Sequence, residues 1–267
     1  MPLMETRDED AVLTVQLNRP ERLNALNAPL RRAVGDLLGH AAGDEAVRVV
    51  VLTGSGDRAF CAGQDLGESA ELAEGAGPEW MAGWRVYFHA FAHFPKPIVA
   101  AINGVAAGAG LQTALLADIR VAVPEARLLM AEVNVGLPAI VGGHLLGVHL
   151  GLSRAIDLVL TGREVRAGEA AEWGLVHEVV PPEALAERAA AIARSLAEKP
   201  PTALRLTMAH LRAGRREGLL EAEAAAERYQ SAAIATGAPQ AEMGRFLSRR
   251  TGRAAKDKQE GQACTNT

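Results

Sequence analysis

Glu132 is an isolated carboxylate in apolar company, with Leu128, Leu129 and Met130 before it and Val133 and Val135 after it. Apolar neighbours desolvate a carboxylate and raise its pKa, which suits it to pass protons near neutral pH. Upstream lie two small-residue segments, Phe60 to Leu66 (FCAGQDL) and Asn103 to Gly110 (NGVAAGAG), each following an apolar β-like run. Glycine and alanine let backbone N–H groups approach a ligand closely, and the dipole of a following helix favours negative charge there. Two such turns at one sheet edge would converge as an oxyanion hole. An oxyanion site beside a carboxyl base suits proton transfer next to a carbonyl group. Neither segment fits GxGxxG or GxxxxGK[ST], so a nucleotide loop is not indicated.

The surrounding pattern supplies the elements that would position these groups. Ile98 to Ile102 reads as a buried strand, Gly104 to Gly110 as a loop leading into a helix, and Ile119 to Val123 as a second strand. Alternation over Val12 to Leu17 predicts another strand, and NRPE at Asn18 to Glu21 a turn. Asn27 offers an N-cap for a helix with Leu30, Val34, Leu37 and Leu38 on its apolar face. Val47 to Thr53 is a β-branched run of the fully buried kind. The alternation of strand and helix implies an α/β fold.

Trp80, Trp84, Tyr87, Phe88 and Phe91 share one helical face. Core packing accounts for such a stripe, and so does a bulky apolar wall over an acyl pocket. His89 and His93 fall beside it, where packing is the default. From Pro181 the composition turns to Ala, Glu, Leu and Arg, with helical periodicity over Ala184 to Leu196, Ala203 to Arg212 and Leu219 to Ile234, and a break at Pro200 and Pro201. Residues 1–195 are read as the α/β core and 196–250 as a helical region. The polar stretch 251–267 is expected to be disordered.

The chain has 267 residues, 49% hydrophobic and 22% charged, with a net charge of -4, enough to bury a large core. The acidic balance argues against nucleic acid and anionic membranes as partners. No secretory signal or apolar run of about 18 residues is present, so a cytoplasmic location is expected. Cys61 and Cys264 have no metal-ligand spacing, so both are expected to be free thiols and no metal site is indicated.

Several ordered segments together resemble the crotonase, or enoyl-CoA hydratase/isomerase, superfamily: LNRPERLNALN at Leu17 to Asn27, AFCAGQDL at Ala59 to Leu66, KPIVAAINGVAAGAG from Lys96, and LTGREVRAGEAAEWGLVHEVVP at Leu160 to Pro181. The resemblance runs from about Val12 to Arg250. It implies a spiral of ββα units, a helical C-terminal region that makes trimers or pairs of trimers, and an acyl-CoA thioester substrate. Coenzyme A would enter with the substrate, and no separate cofactor is implied.

By the same resemblance, the backbone N–H groups of Gln64 and Ala109 would hold the thioester oxygen, and Glu132 would be the general acid/base. Arg22, Ala62 and Arg58 would lie along the CoA moiety, with Arg249 or Arg250 offered by the C-terminal region. Trp84, Phe88, Leu137 and His144 are assigned to the acyl pocket. His144 is open to two readings, a second proton carrier or a helix-starting residue, the latter favoured. Asp65 is expected to cap the helix that follows it, and Glu68 to face solvent or approach the acyl group.

Two positions depart from the hydratase pattern. Where the first of two glutamates should stand there is Gln112, whose amide can orient a water but cannot take its proton. The glycine-rich run after Glu132 is replaced by Gly136-Leu137-Pro138-Ala139-Ile140, closer to single-glutamate members. The leading expectation is reversible hydration of a 2-enoyl-CoA. The alternatives are a Δ3,Δ2-enoyl-CoA isomerase, a hydratase-lyase on an aromatic acyl-CoA, and a catalytically weakened CoA-thioester binder.

Overall fold

The computed structural model describes residues 1–7, 10–73 and 75–249. Arg250, Cys264 and the expectation of disorder over 251–267 lie outside the described residues.

An antiparallel pair, β1 (Leu3–Arg7) and β2 (Val12–Leu17), opens the chain. A short 3₁₀ turn at Pro20–Arg22 follows. Helix α1 (Ala28–Gly43) is then capped by the Asn27 side chain, which accepts from Leu30 N–H. Its expected apolar face is buried.

The next segments repeat one pattern. Strands β3 (Val49–Gly54) and β4 (Ala59–Cys61) lead to α2 (Leu66–Ala70) and α3 (Gly77–Ala92). Strands β5 (Ile98–Ile102) and β6 (Val105–Ala107) lead to α4 (Ala109–Leu116). Strands β7 (Ile119–Ala122) and β8 (Arg127–Leu129) lead to a 3₁₀ turn at Glu132–Val135 and then α5 (Ile140–Leu150). The first strand of each pair joins one sheet and the second joins another. This is the ββα spiral that the resemblance implies.

Helix α6 (Leu152–Thr161), strand β9 (Glu164–Arg166), helix α7 (Ala167–Glu172) and strand β10 (Glu178–Val179) complete the sheets. Their orders are β1-β2-β3-β5-β7-β10 and β4-β6-β8-β9. The central strands β3, β5 and β7 are parallel and buried, which is why their sequences read as continuous apolar runs. Helix α8 (Pro182–Ala197) packs on that sheet, and α9 (Pro201–Ile234) packs on α3 and α5.

Two expectations on elements are corrected. The loop expected at Gly104 to Gly110 contains strand β6, which pairs with both β4 and β8. The two C-terminal helical stretches are one 34-residue helix, α9, running through Gly214 and Gly218. Interior glycine costs a helix about 1 kcal/mol. At Gly218 the cost has a packing reason, because an added β-carbon would lie 2.5 Å from Cε1 of His144.

Candidate active site

The parallel strands β4 and β6 deliver both small-residue turns to the same place. A β-carbon built on Gly63 would lie 2.7 Å from the Ala107 carbonyl oxygen and 3.6 Å from the Ala109 nitrogen. One on Gly110 would overlap the Cys61 carbonyl. Only glycine lets the turns press together this closely, and Gly63 also has a φ of +98°. Further contacts fix the first turn: Ala62 N–H donates to Leu23 O at 2.9 Å, Leu26 N–H to Gly63 O at 2.7 Å, and Asp65 N–H to Leu26 O at 3.1 Å.

Ala109 is the first residue of α4, so its N–H has no acceptor within the helix. Gln64 sits in an isolated bridge with Leu26 in which its neighbours make the hydrogen bonds. Both residues line a cavity of about 1040 Å³. The structure therefore brings the two expected oxyanion residues to one wall.

Glu132 and Gln112 line the same cavity. The Glu132 carboxyl lies over Gly108, where an added β-carbon would be 3.5 Å from Oε1. Oε1 accepts a hydrogen bond from Gln112 Nε2 at 2.7 Å. Oε2 is shut off from solvent and has no hydrogen-bond partner among the described residues. Burial pushes the Glu132 carboxyl up to about 7, against the smaller opposing effects of its backbone hydrogen bond and the Gln112 amide.

Helix α3 supplies the expected aromatic wall. Trp80, Met81, Trp84 and Phe88 line the cavity, joined by Leu137 from the segment before α5. Trp84 stacks on Phe88 at 5.7 Å, and the Arg31 guanidinium lies 4.5 Å from the Trp84 ring centre. Arg22 and Ala62 also line the cavity.

Three assigned or candidate residues lie elsewhere. His144 faces α9 at Gly218 and not the cavity, because α5 turns that side toward the long helix. Arg58 donates to the Pro20 carbonyl at 3.0 Å and is absent from the lining, so the structure ties it to the 3₁₀ turn. Glu68 accepts from Ala28 N–H at 2.9 Å and pairs with Arg31 at 3.2 Å, holding the start of α1. Asp65 caps α2 as expected and pairs with Arg19 at 2.9 Å. Cys61 is a buried free thiol pushed up to about 12 by burial, so it stays protonated.

Sequence reasoning missed Gln230 of α9 and Phe246 and Leu247 beyond it, all of which line the cavity. No local signal marks them: Gln230, for example, is placed by tertiary packing, its side-chain amide donating to the Pro138 carbonyl at 2.8 Å, 92 residues away in sequence.

Two small-residue turns pressed together on one cavity wall, a desolvated carboxyl and an apolar wall suit a thioester enolate. A family model described as enoyl-CoA hydratase/isomerase matches residues 7–253. The chain belongs to that family. Among family relatives, the 1,2-epoxyphenylacetyl-CoA isomerase of Escherichia coli (strain K12) is 41% identical over 197 residues, covering 72% of this chain and 75% of the relative. The short-chain-enoyl-CoA hydratase of Clostridium acetobutylicum is 34% identical, covering 74% of this chain and 77% of the relative. A crystal structure of an enoyl-CoA hydratase/isomerase from Mycobacterium paratuberculosis superposes with a TM-score of 0.85 at 30% identity, covering 91% of this chain and 98% of that one. The fold is thus the crotonase fold, and the chain is an enzyme of the enoyl-CoA hydratase/isomerase family.

Proposed function

We propose that this enzyme adds water reversibly across the double bond of a 2-enoyl-CoA thioester, with Glu132 as the single acid/base. The observation that carries this reading is the Glu132 carboxyl, raised to about 7, with Oε1 held by Gln112 and Oε2 unpartnered above the Gly108 turn. Water attacks the β-carbon and passes one proton to the Glu132 carboxylate. The carbon–carbon π electrons move to the thioester oxygen, where the Gln64 and Ala109 N–H groups hold the enolate. Glu132 then returns the proton to the α-carbon and is regenerated as a carboxylate. The Gln112 carbonyl oxygen orients the water by accepting its second hydrogen.

The same group supports a second reading, favoured by Gln112 being a neutral amide. Glu132 can take a proton from the α-carbon of a 3-enoyl-CoA and return it to the γ-carbon, an isomerisation that needs no water. Loss of the conjugated enoyl absorbance on mixing with crotonyl-CoA supports hydration, and gain of it from a 3-enoyl-CoA supports isomerisation. Binding of a CoA ester with neither change would overturn both in favour of a binding protein.

Under the proposal, Arg22 and Ala62 lie along the CoA moiety, and no cofactor beyond the substrate is required. We assign the chain to a homotrimer or a pair of trimers. The exposed apolar residues Leu152, Ile156 and Leu160 on one face of α6, with Val148 of α5, support that assembly. No helix among the described residues is long and apolar enough to cross a membrane, and a cytoplasmic location is proposed.

A further inference from the structure

Tyr87 is the one aromatic residue of the α3 wall with a buried hydroxyl. It packs between Trp84 at 5.9 Å, Phe88 at 5.6 Å and Phe91 at 5.2 Å. Trp84 and Phe88 touch the cavity, whereas Tyr87 lies behind them. A phenylalanine would fill that space, so the hydroxyl needs a separate reason, since burying it unbonded is costly.

Its oxygen lies 2.8 Å from Thr113 Oγ1. Thr113 has one hydroxyl hydrogen and gives it to the Ala109 carbonyl at 2.7 Å. Tyr87 must therefore be the donor to Thr113. Burial pushes the Tyr87 phenol far above its ordinary range, so the donating form is the one present. The result is a directed chain from the acyl wall to the first residue of α4: Tyr87 O–H to Thr113 O–H to Ala109 C=O.

We infer that Tyr87 is a positioning residue for the oxyanion site, acting through Thr113 to fix the first turn of α4 and hence the aim of the Ala109 N–H. The inference rests on the reading of Ala109 as an oxyanion donor. The physical need is clear at this place. The first residues of a helix lack intrahelical partners for their N–H groups and fray readily. A second donor on the Ala109 carbonyl ties that turn to α3. The tie also joins the wall that receives the acyl group to the amide that receives its carbonyl oxygen.

The test uses the full chain and two readouts. One is kcat and KM on crotonyl-CoA. The other is the red shift of a 3-arylacryloyl-CoA with an electron-donating ring substituent, which reports polarisation of the bound thioester carbonyl. Tyr87→Phe should lower kcat about tenfold, with KM within about threefold, because a small misplacement of a catalytic donor is expensive. It should also shrink the red shift. Thr113→Val should match it, the double variant should be no worse than either single one, and Thr113→Ser should retain both properties. If Tyr87→Phe does not fold, the Thr113→Val and Thr113→Ser pair decides. An unchanged red shift and kcat in folded Tyr87→Phe or Thr113→Val would overturn the relay while leaving the oxyanion site standing. Absence of any red shift in the unmodified enzyme would overturn the oxyanion reading, and the relay with it.

Discussion

Gln112 donates its side-chain N–H to Glu132 Oε1 across 2.7 Å, joining the second turn of α4 to the 3₁₀ turn after β8. The same amide nitrogen lies 3.8 Å from Met130 Sδ, so its hydrogens face protein and its carbonyl oxygen is left as an acceptor. Gln112 thus orients the Glu132 carboxyl and leaves Oε2 without a hydrogen-bond partner among the described residues, which under the proposed function is the oxygen that moves protons.

The rate should report that carboxyl directly. In the proposed mechanism hydration begins with the Glu132 carboxylate taking a proton from water, and burial pushes that carboxyl up to about 7. The expected kcat/KM for crotonyl-CoA rises with pH through about 7 and then levels off. A profile flat from pH 5 to 8 would assign the proton transfer elsewhere.

Gln112→Glu places a second carboxyl within hydrogen-bond reach of the first. Two such groups share one proton and titrate as a pair. The rising limb should move to higher pH, and hydration should gain on isomerisation because a second base can take the water's proton. Parallel assays with crotonyl-CoA and a 3-enoyl-CoA measure both changes. A fall of hydration to background would show that the amide has a positive role.

Stability should carry the same signature. The folded enzyme keeps a proton on Glu132 up to about 7, whereas the unfolded chain releases it near the ordinary 4.5. The contribution of this group is complete below 4.5 and is lost as pH rises through 7, by roughly 3 kcal/mol. Denaturant midpoints of the enzyme should therefore fall relative to those of Glu132→Gln across that interval. A pH-independent difference would mean that the carboxyl is not desolvated.

Gly63→Ala tests the meeting of the two turns. The residue has a φ of +98°, and its β-carbon would press on the Ala107 carbonyl at 2.7 Å, displacing the Gln64 amide. The expected loss in kcat is about a hundredfold, the scale of losing one oxyanion donor, with helical circular dichroism preserved. Wild-type turnover would separate this turn from the chemistry.

Much of this site was legible because its signals are local. Ile98 to Ile102 is a strand residue for residue, since a parallel strand covered on both faces must be continuously apolar. Asn27 announces α1 by cap chemistry, and the Trp80 to Phe91 spacing fixes one buried face of α3. The three-residue strands β6, β8 and β9 were not legible, because each exists only through pairing with distant partners. Side-chain direction was equally hidden. Whether His144 meets the cavity or Gly218 depends on how α5 is rotated against α9, and nothing within α5 encodes that. The bond between Gln112 and Glu132 likewise arises from tertiary packing.

Following crotonyl-CoA in deuterium oxide with Glu132→Gln beside the unmodified enzyme, at ligand concentrations that saturate both, addresses the single acid/base most directly. The unmodified enzyme should form 3-hydroxybutyryl-CoA carrying one solvent deuteron at the α-carbon. Glu132→Gln should bind the thioester within about tenfold of the original affinity, a loss of no more than about 1.4 kcal/mol, yet form no labelled product. Labelled product at an undiminished rate would show that another group moves the proton.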